Sequence, residues 1–511
     1  MILAMGAAIL LPGPSYAPFS GDNGLKLWQA SGTRTEAEGL ARSMPAGIPP
    51  SQFPPALTVS EGDELYAGFS ASFAWLLGHL GLRRPLPMRV WLLVLTVCSI
   101  PLLGRLSGRG NLSGPFAFLL CGLAPYSLVF WEHGPALSLF LLSALLLMEG
   151  LRRRRAVPWW LAPLLLAARW RPELLVAFAA LAVTALIRSR AMEGFRSTLT
   201  QSAIVAALGM AALLLQPGLL LGEHVMQNLP GSSGSFFSTR ADVYSSWFVD
   251  PSNLVATFGL LLWIAGTVIA TLKPRGSLHR VSLLLAGLGT ISLLYYFVRG
   301  SLGPRSLLSL SPGLLVAPWL LSTTGDRQRT LLAAGVFSML AILVFSPTDG
   351  MFQFGPRFLL GPMALVSAGL VGSVSRTGGG RSRALLGATL IVSLVGSIRG
   401  IVFQEYFRHR HSDLAATIEH LPKEDVVCTD EPWLPLVSWW VAMERPLLVM
   451  SSPTQAESLS GEGMRVVWIS SKTVMEGQTG NPGYRGLRFS GDGVRSPPPG
   501  PSVPNPPRIS L

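Results

Sequence analysis

Apolar runs of about 15 to 25 residues alternate with short polar connections along most of this chain. Their length matches the roughly 20 apolar residues that a helix needs to cross a membrane. The runs from residue 87 onward cover 87–104, 113–131, 134–151, 157–170, 173–187, 199–221, 252–272, 280–298, 306–322, 330–346, 358–373 and 384–402. An apolar stub over residues 1–11 is interpreted as a first span shortened at its start. Together these runs predict an all-α polytopic protein with about 13 transmembrane helices.

The pattern changes after residue 402. Residues 412–421 have a helical pattern, and three short apolar runs are typical of buried strands, at 426–429, 447–450 and 466–469. We therefore expect a helical transmembrane domain over residues 1–402 and a small α/β appendage over residues 403–495. The proline-dense residues 496–511 predict a disordered tail.

The composition agrees with a membrane protein. Hydrophobic residues make up 49% of the chain and charged residues only 13%, whereas soluble domains carry about 25% charged residues. The net charge is +13, but the arginines form short clusters between apolar runs, which argues against nucleic-acid binding and follows the positive-inside pattern. The three cysteines lack metal-ligand spacing, so neither a disulfide framework nor a zinc site is indicated.

The arginine clusters also predict an orientation. If the polar loop over residues 20–64 is outside, every strong basic cluster lies on the inner side, as the positive-inside rule requires. This threading needs residues 65–82 to lie in the outer interface as a helix that does not cross. It places the later polar breaks and the tail from residue 403 outside. We expect a multi-pass protein of a bacterial inner membrane, with the first loop and the tail extracytoplasmic.

The first loop carries three candidate catalytic carboxylates, Asp22, Asp63 and Glu64. Glycosyl transfer needs a carboxylate that takes a proton from an acceptor hydroxyl or holds a metal against a donor phosphate. A divalent cation therefore stays possible. The alternative is a solvated loop in which Asp22 caps the helix that begins near Gly24.

Four candidates for substrate binding lie at later outer breaks. Glu132 and His133 separate two runs and are suited to binding a head group or moving a proton, although Glu132 is also a simple helix cap. Arg171 interrupts an apolar stretch and is suited to binding a lipid-linked phosphate, unless it only pairs with Glu173. Arg357 lies at the start of a predicted helix, and a helix N-terminus is a natural site for an anion. The alternative is a lone arginine that snorkels at a turn.

These residues give the chain a resemblance to the GT-C superfamily of polytopic glycosyltransferases. The resemblance rests on Ser20-Gly21-Asp22 and Gly62-Asp63-Glu64-Leu65-Tyr66 in the first outer loop, the turn Trp131-Glu132-His133, the late outer loop Phe354-Gly355-Pro356-Arg357 and the α/β tail. The resemblance covers about residues 15–470. It lies in the arrangement of spans and loops more than in sequence identity.

The resemblance implies a sugar donor linked to polyprenyl phosphate and an acceptor hydroxyl on a glycan, lipid or protein at the outer face. It implies Asp22 as the catalytic base, with Asp63 or Glu64 as a second acidic site. Arg171 or Arg357 then binds the donor phosphate. Two other functions stay open. One is a transporter or flippase of a lipid-linked precursor, and the other is a non-catalytic membrane assembly partner.

Overall fold

The structure is a computed structural model of the whole chain. It describes residues 58–61, 64–67, 73, 76, 85–108, 113–128, 132–153, 158–188, 243–244, 247–249, 253–272, 276–299, 306–320, 325–345, 357–374, 380–431, 434, 447–450, 452–461, 465–470, 485–490 and 493–495. These residues are mostly helical. Their strands form a short hairpin before the first helix and a small sheet after the last long one.

Six helices form the first half of the described bundle. They are α1 (Pro85–Val97), α2 (Ser99–Leu106), α3 (Gly114–Leu120), α4 (His133–Arg153), α5 (Leu161–Trp170) and α6 (Glu173–Arg188). Short 3₁₀ helices precede α4 and α5, at Ala124–Leu128 and Pro158–Trp160. Prolines begin or closely follow the start of several of these helices, where a missing N–H interrupts no helical bond.

Seven more helices of the described bundle follow. They are α7 (Leu254–Leu272), α8 (Ser277–Val298), α9 (Leu307–Leu310), α10 (Ala317–Leu320), α11 (Asp326–Phe345), α12 (Leu360–Val374) and α13 (Gly380–Glu419). A 3₁₀ helix at Pro312–Val316 joins α9 to α10, and another at Arg357–Leu359 leads into α12. The main apolar core contains buried residues from α2 to α6, α11 and α12.

The described helices are those of a membrane protein. Four apolar stretches within them are long enough to cross a bilayer: His133–Gly150, Ser277–Val298, Asp326–Val344 and Ala384–Tyr406. Large apolar side chains on α8 point away from the bundle, and Leu284, Ile291 and Val298 are each more than half exposed. A lipid environment explains such a surface, because soluble proteins rarely expose contiguous apolar patches of this kind. The total of about 13 spans stays a prediction.

Helices α7 and α8 form a closely packed hairpin. A Cβ atom on Gly289 would lie 2.4 Å from the Gly259 carbonyl oxygen and 2.6 Å from the Trp263 amide nitrogen. A Cβ atom on Gly266 would lie 2.5 Å from the backbone of α8. Small residues at such positions allow helix backbones to approach closely, which is how helices associate in lipid.

The predicted span over residues 113–131 is wrong as one continuous helix. Helix α3 ends at Leu120, and Gly122 then adopts a φ of +68°, a left-handed conformation that glycine accepts easily. The chain continues as the 3₁₀ helix Ala124–Leu128. Side chains satisfy the carbonyls released at the break: Ser311 Oγ donates to Leu120 O, and Gln404 Nε2 donates to Pro125 O at 3.1 Å.

The predicted span over residues 306–322 is likewise broken. It consists of α9, a 3₁₀ helix and α10, and the break begins where Pro312 follows Ser311. The freed Leu315 carbonyl accepts hydrogen bonds from Trp263 Nε1 and Thr290 Oγ1, both at 2.9 Å. Polar donors from neighbouring helices are what allow irregular backbone inside an apolar bundle.

The prediction of an interfacial helix over residues 65–82 places the start of the helix too early in the sequence. Residues Glu64–Ala67 form strand β2, which pairs antiparallel with β1 (Thr58–Glu61). Two residues separate the strands, and a Gly-Asp pair between β-branched or aromatic runs is a typical hairpin sequence. The apolar residues after the turn suggest a helix, but the turn itself pairs the residues on either side of it as strands. Of the rest of that stretch, residues 73 and 76 are described, and both are helical.

Helix α13 continues into the C-terminal part of the chain. Its 40 residues correspond to about 60 Å, and it runs without a break across position 402. Its last turns pack Leu414, Ala415 and Ile418 against a five-stranded sheet. The sheet comprises β3 (Val426–Thr429), β4 (Leu447–Val449), β5 (Val466–Ser470), β6 (Arg485–Ser490) and β7 (Gly493–Arg495), with helix α14 (Pro453–Gly461) between β4 and β5.

The sheet has mixed topology, with the strand order β4-β3-β5-β6-β7. Strand β3 pairs parallel with both β4 and β5, while β6 and β7 extend the sheet in antiparallel pairs. The three parallel strands coincide with the apolar runs predicted as strands. Their side chains are buried on both sides, against α13 and against α14, which explains why they lack polar alternation.

Candidate functional site

Three helix starts meet at one end of the bundle and bring charged residues together. Glu132 directly precedes α4, and His133 is its first residue. Arg171 lies in the two-residue connection between α5 and α6, and Glu173 begins α6. Arg357 begins the 3₁₀ helix that leads into α12. We call Glu132, His133, Arg171, Glu173 and Arg357 the charged cluster.

Small residues allow close packing at these helix starts. A Cβ atom on Gly134, in the first turn of α4, would lie 2.0 Å from Thr96 Oγ1 of α1. One turn later, Ser138 Oγ donates a 2.7 Å hydrogen bond to Leu95 O. A Cβ atom on Gly361, at the start of α12, would lie 2.7 Å from the Leu174 side chain of α6. Helix packing therefore fixes the start of α4 against α1 and the start of α12 against α6.

Arg171 is the centre of the ion-pair network. Its Nη2 and Nε atoms lie 2.6 and 2.7 Å from Glu173 Oε1, and its Nη1 lies 3.5 Å from Glu132 Oε1. The side chains of Arg171 and Glu132 are each only 11% exposed. Burial lowers the pKa of Arg171, but Glu173 and Glu132 outweigh that effect and raise it overall, so the guanidinium stays charged. The pairing with Glu173, one of the two alternatives for Arg171, is thus present.

Aromatic rings line the cluster. The guanidinium carbons of Arg171 and Arg357 lie 5.2 and 5.5 Å from the centre of the Phe358 ring. The Trp247 ring lies 6.1 Å from Phe358. The Tyr126 ring lies beside the His133 ring, with their centres 5.9 Å apart and their planes tilted by 31°.

The electrostatics at this end of the bundle favour an anion. Each helix N-terminus carries roughly half a positive charge, and three of them converge here. Two arginines add full positive charges, and two carboxylates offset them. The helix N-termini thus leave a net charge of roughly +1.5, which favours an anion. Backbone N–H groups at a helix start can donate to such a ligand.

The structure brings together all four residues predicted for substrate binding, Glu132, His133, Arg171 and Arg357. Their role in binding stays a prediction. Asp22 and Asp63 lie outside the described residues. Glu64 begins strand β2. The catalytic carboxylates therefore stay a prediction as well.

Sequence reasoning missed the aromatic residues of the site, Tyr126, Trp247 and Phe358. The chain contains 23 phenylalanines and 14 tryptophans, so no single ring is conspicuous. A weak signal existed for Phe358, which directly follows the predicted phosphate-binding Arg357. Among the described residues, no three His, Cys, Asp or Glu side chains come together as a metal site requires.

Comparison with known proteins identifies distant structural neighbours. No protein-family model matches the chain, and no curated protein matches it. The crystal structure of ArnT from Cupriavidus metallidurans in the apo state is 10% identical, with 93% of this chain and 92% of that chain covered at a TM-score of 0.39. The same protein bound to undecaprenyl phosphate is 13% identical, with 93% of each chain covered at a TM-score of 0.36. These values are too low to establish a shared fold or activity.

Proposed function

We propose that the chain is a GT-C-type membrane glycosyltransferase that moves a sugar from a polyprenyl-phosphate donor to an acceptor hydroxyl on the extracytoplasmic face. The convergence of three helix N-termini and two arginines in the charged cluster carries this proposal. The site is buried at one end of an apolar bundle, where a ligand with a phosphate head and a long apolar tail fits the chemistry. The layout of the first loop supports the transfer reaction by its resemblance to GT-C enzymes.

In the proposed reaction, a first-loop carboxylate takes the proton of the acceptor hydroxyl. The acceptor oxygen forms a bond to the anomeric carbon, and the bond from that carbon to the phosphate oxygen breaks. The phosphate leaves with the bonding electron pair. Asp22 is our first choice for the base, with Asp63 or Glu64 as the second acidic group. Arg357 and the helix N-termini stabilise the leaving phosphate, the step at which charge develops.

The test is transfer activity in membranes supplied with a labelled polyprenyl-phosphate sugar. We expect Asp22→Asn to reduce kcat by a factor of about 100 or more, as loss of a general base does. Arg357→Ala should lower kcat/KM by a similar factor, because one charged donor to the developing anion is lost. Arg299→Ala is the matched control, since Arg299 is an exposed arginine stacked on Tyr295 and lies outside the cluster.

The two variants test different parts of the proposal. Unchanged transfer by Asp22→Asn would remove that residue from the mechanism and shift the base to Asp63 or Glu64. Unchanged kcat/KM in Arg357→Ala would contradict the phosphate role of the cluster. Wild-type membranes without any transfer, across a panel of labelled sugars and acceptors, would reject the glycosyltransferase proposal itself.

One observation favours a transporter or flippase as the second candidate. Broken helices mark binding sites in many transporters. In the described part of this chain, the breaks at residues 121–123 and 311–316 are joined by the hydrogen bond from Ser311 Oγ to Leu120 O. Proteoliposomes that contain a fluorescent lipid-linked sugar separate the two functions. Movement of the lipid between leaflets without any sugar transfer would favour transport.

A further inference from the structure

The hydroxyl group of Thr96 lies at the edge of the charged cluster. Thr96 belongs to α1 and is fully buried. Within the described part of the chain, its Oγ1 atom has no hydrogen-bond partner. The atom lies against the first turn of α4, because a Cβ atom on Gly134 would be only 2.0 Å from it. Gly134 directly follows His133, so the hydroxyl adjoins the end of α4 that carries Glu132 and His133.

Thr96 directs its hydroxyl differently from other helical threonines of this protein. A threonine in a helix can bond the carbonyl of the preceding turn. Thr267 Oγ1 donates to Trp263 O at 2.6 Å in this way, and Thr389 Oγ1 donates to Leu385 O at 2.8 Å. Thr96 Oγ1 faces α4 instead. A buried hydroxyl without a partner destabilises a folded protein, so native structures keep few of them. At the edge of a candidate site, such a group points to a ligand that completes its hydrogen bonds.

From this arrangement we infer that Thr96 is a specificity-determining residue, whose hydroxyl binds a hydroxyl group on the sugar of the lipid-linked donor. The inference rests on the proposed function, because it names the part of that donor that meets α1. A threonine hydroxyl is neutral and both donates and accepts hydrogen bonds, as a sugar hydroxyl does. A site built to pair with a ligand hydroxyl rejects ligands that lack it, since its own buried group then stays unpaired.

The experiment compares lipids with and without a sugar. Full-length protein in detergent is titrated with farnesyl phosphate and with a panel of farnesyl phosphosugars that carry hexoses or pentoses, and each Kd is measured by calorimetry. The phosphosugar that the wild type binds most tightly is used for the variants. Thr96→Val keeps the shape of the side chain without the hydroxyl, and it should bind that phosphosugar about tenfold more weakly. Farnesyl phosphate should bind Thr96→Val as it binds the wild type.

The stability of the ligand-free protein separates this role from a structural one. Removal of an unpaired hydroxyl should leave the Tm of Thr96→Val equal to the wild-type value or higher. Thr96→Ser keeps the hydroxyl and should bind the phosphosugar within about threefold of the wild type. Thr389→Val is the matched control, because Thr389 is also buried but its hydroxyl is paired within α13. It should leave both Kd values unchanged.

Each outcome has a distinct meaning. If Thr96→Val weakens both lipids equally, weakens farnesyl phosphate alone or weakens neither, the sugar contact is overturned. A lower Tm of ligand-free Thr96→Val, or no recovery of phosphosugar binding in Thr96→Ser, also overturns it. A wild type that binds farnesyl phosphate as tightly as every phosphosugar leaves the phosphate site intact and overturns the sugar contact. A wild type that binds none of these lipids rejects the proposed function itself. A loss confined to the phosphosugar, with recovery in Thr96→Ser, supports the inference.

Discussion

Replacement of Arg171 by methionine tests the electrostatic account of the charged cluster most directly. Methionine has a comparable length and no charge, so the change removes the ion-pair partner that Glu132 and Glu173 share. Their side chains are only 11% and 13% exposed, so water compensates poorly. We expect Arg171→Met to destabilise the folded protein strongly.

The magnitude follows from the observed distances. With an effective dielectric constant of about 20, unit charges at 3.5 Å attract by about 5 kcal/mol, and charges at 2.6 Å attract by about 6 kcal/mol. Desolvation cancels most of this attraction, and removal of one partner from a buried pair costs about 3–5 kcal/mol. Because Arg171 has two carboxylate partners, the stability lost on its removal should lie near the upper end of that range.

The single carboxylate variants should rank by distance. Glu173→Gln removes the contacts at 2.6 and 2.7 Å, whereas Glu132→Gln removes the one at 3.5 Å. We therefore expect Arg171→Met to be the least stable, followed by Glu173→Gln and then Glu132→Gln. A triple variant that combines Arg171→Met, Glu173→Gln and Glu132→Gln has no charge left at these three positions. It should be more stable than Arg171→Met alone.

Unfolding of the detergent-purified protein, followed by the fluorescence of its 14 tryptophans, provides the measurement. A loss of about 4 kcal/mol should lower the Tm by several degrees. Arg299→Met is the control, because exposed substitutions usually change stability by less than about 0.5 kcal/mol. A Tm for Arg171→Met equal to the wild-type value would refute the reasoning. So would a triple variant less stable than Arg171→Met.

Two further predictions concern the helix hairpin and the sheet. Gly289→Ala should lower the free energy of unfolding by about 1–3 kcal/mol, because its Cβ would meet the α7 backbone at 2.4 Å. Gly287→Ala should be neutral or slightly stabilising, because its Cβ would meet only Trp319, at 3.7 Å. Equal Tm values for the two variants would contradict the close packing. Burial raises the pKa of Cys428 from its ordinary value of 9.0 to about 12, so alkylation of Cys428 in the native protein should be very slow at pH 8 and rise about tenfold for each pH unit. Because the raised pKa disfavours the thiolate in the folded state, the contribution of Cys428 to stability is full below pH 9 and declines as the pH rises toward 12. Rapid labelling of native Cys428 at pH 8, measured by mass spectrometry, would show that this strand opens.

Much of the secondary structure follows from local pattern. Helices α6, α7, α8, α11 and α12 begin and end within a few residues of their apolar runs, because length and hydropathy suffice to define a helix that packs in lipid. Short apolar runs also predict strands β3, β4 and β5. The turn before β2 carries a hairpin signal, while the apolar residues that follow it favour a helix. The structure has a strand at Glu64–Ala67, so the predicted start of that helix is wrong.

The sequence by itself determined that this is a membrane protein and which charged residues are candidates for a site. Composition, the length of apolar runs and the positions of rare charges can all be read from short stretches of sequence. Only the tertiary structure decided which runs are broken, because a helix in an apolar bundle can open where Ser311, Thr290, Trp263 or Gln404 supplies a donor from elsewhere in the chain. It alone joined Glu132 to Arg171, which are far apart in sequence. It also placed both arginines on the Phe358 ring, a contact that depends on the packing of three helix starts and that hydropathy does not record.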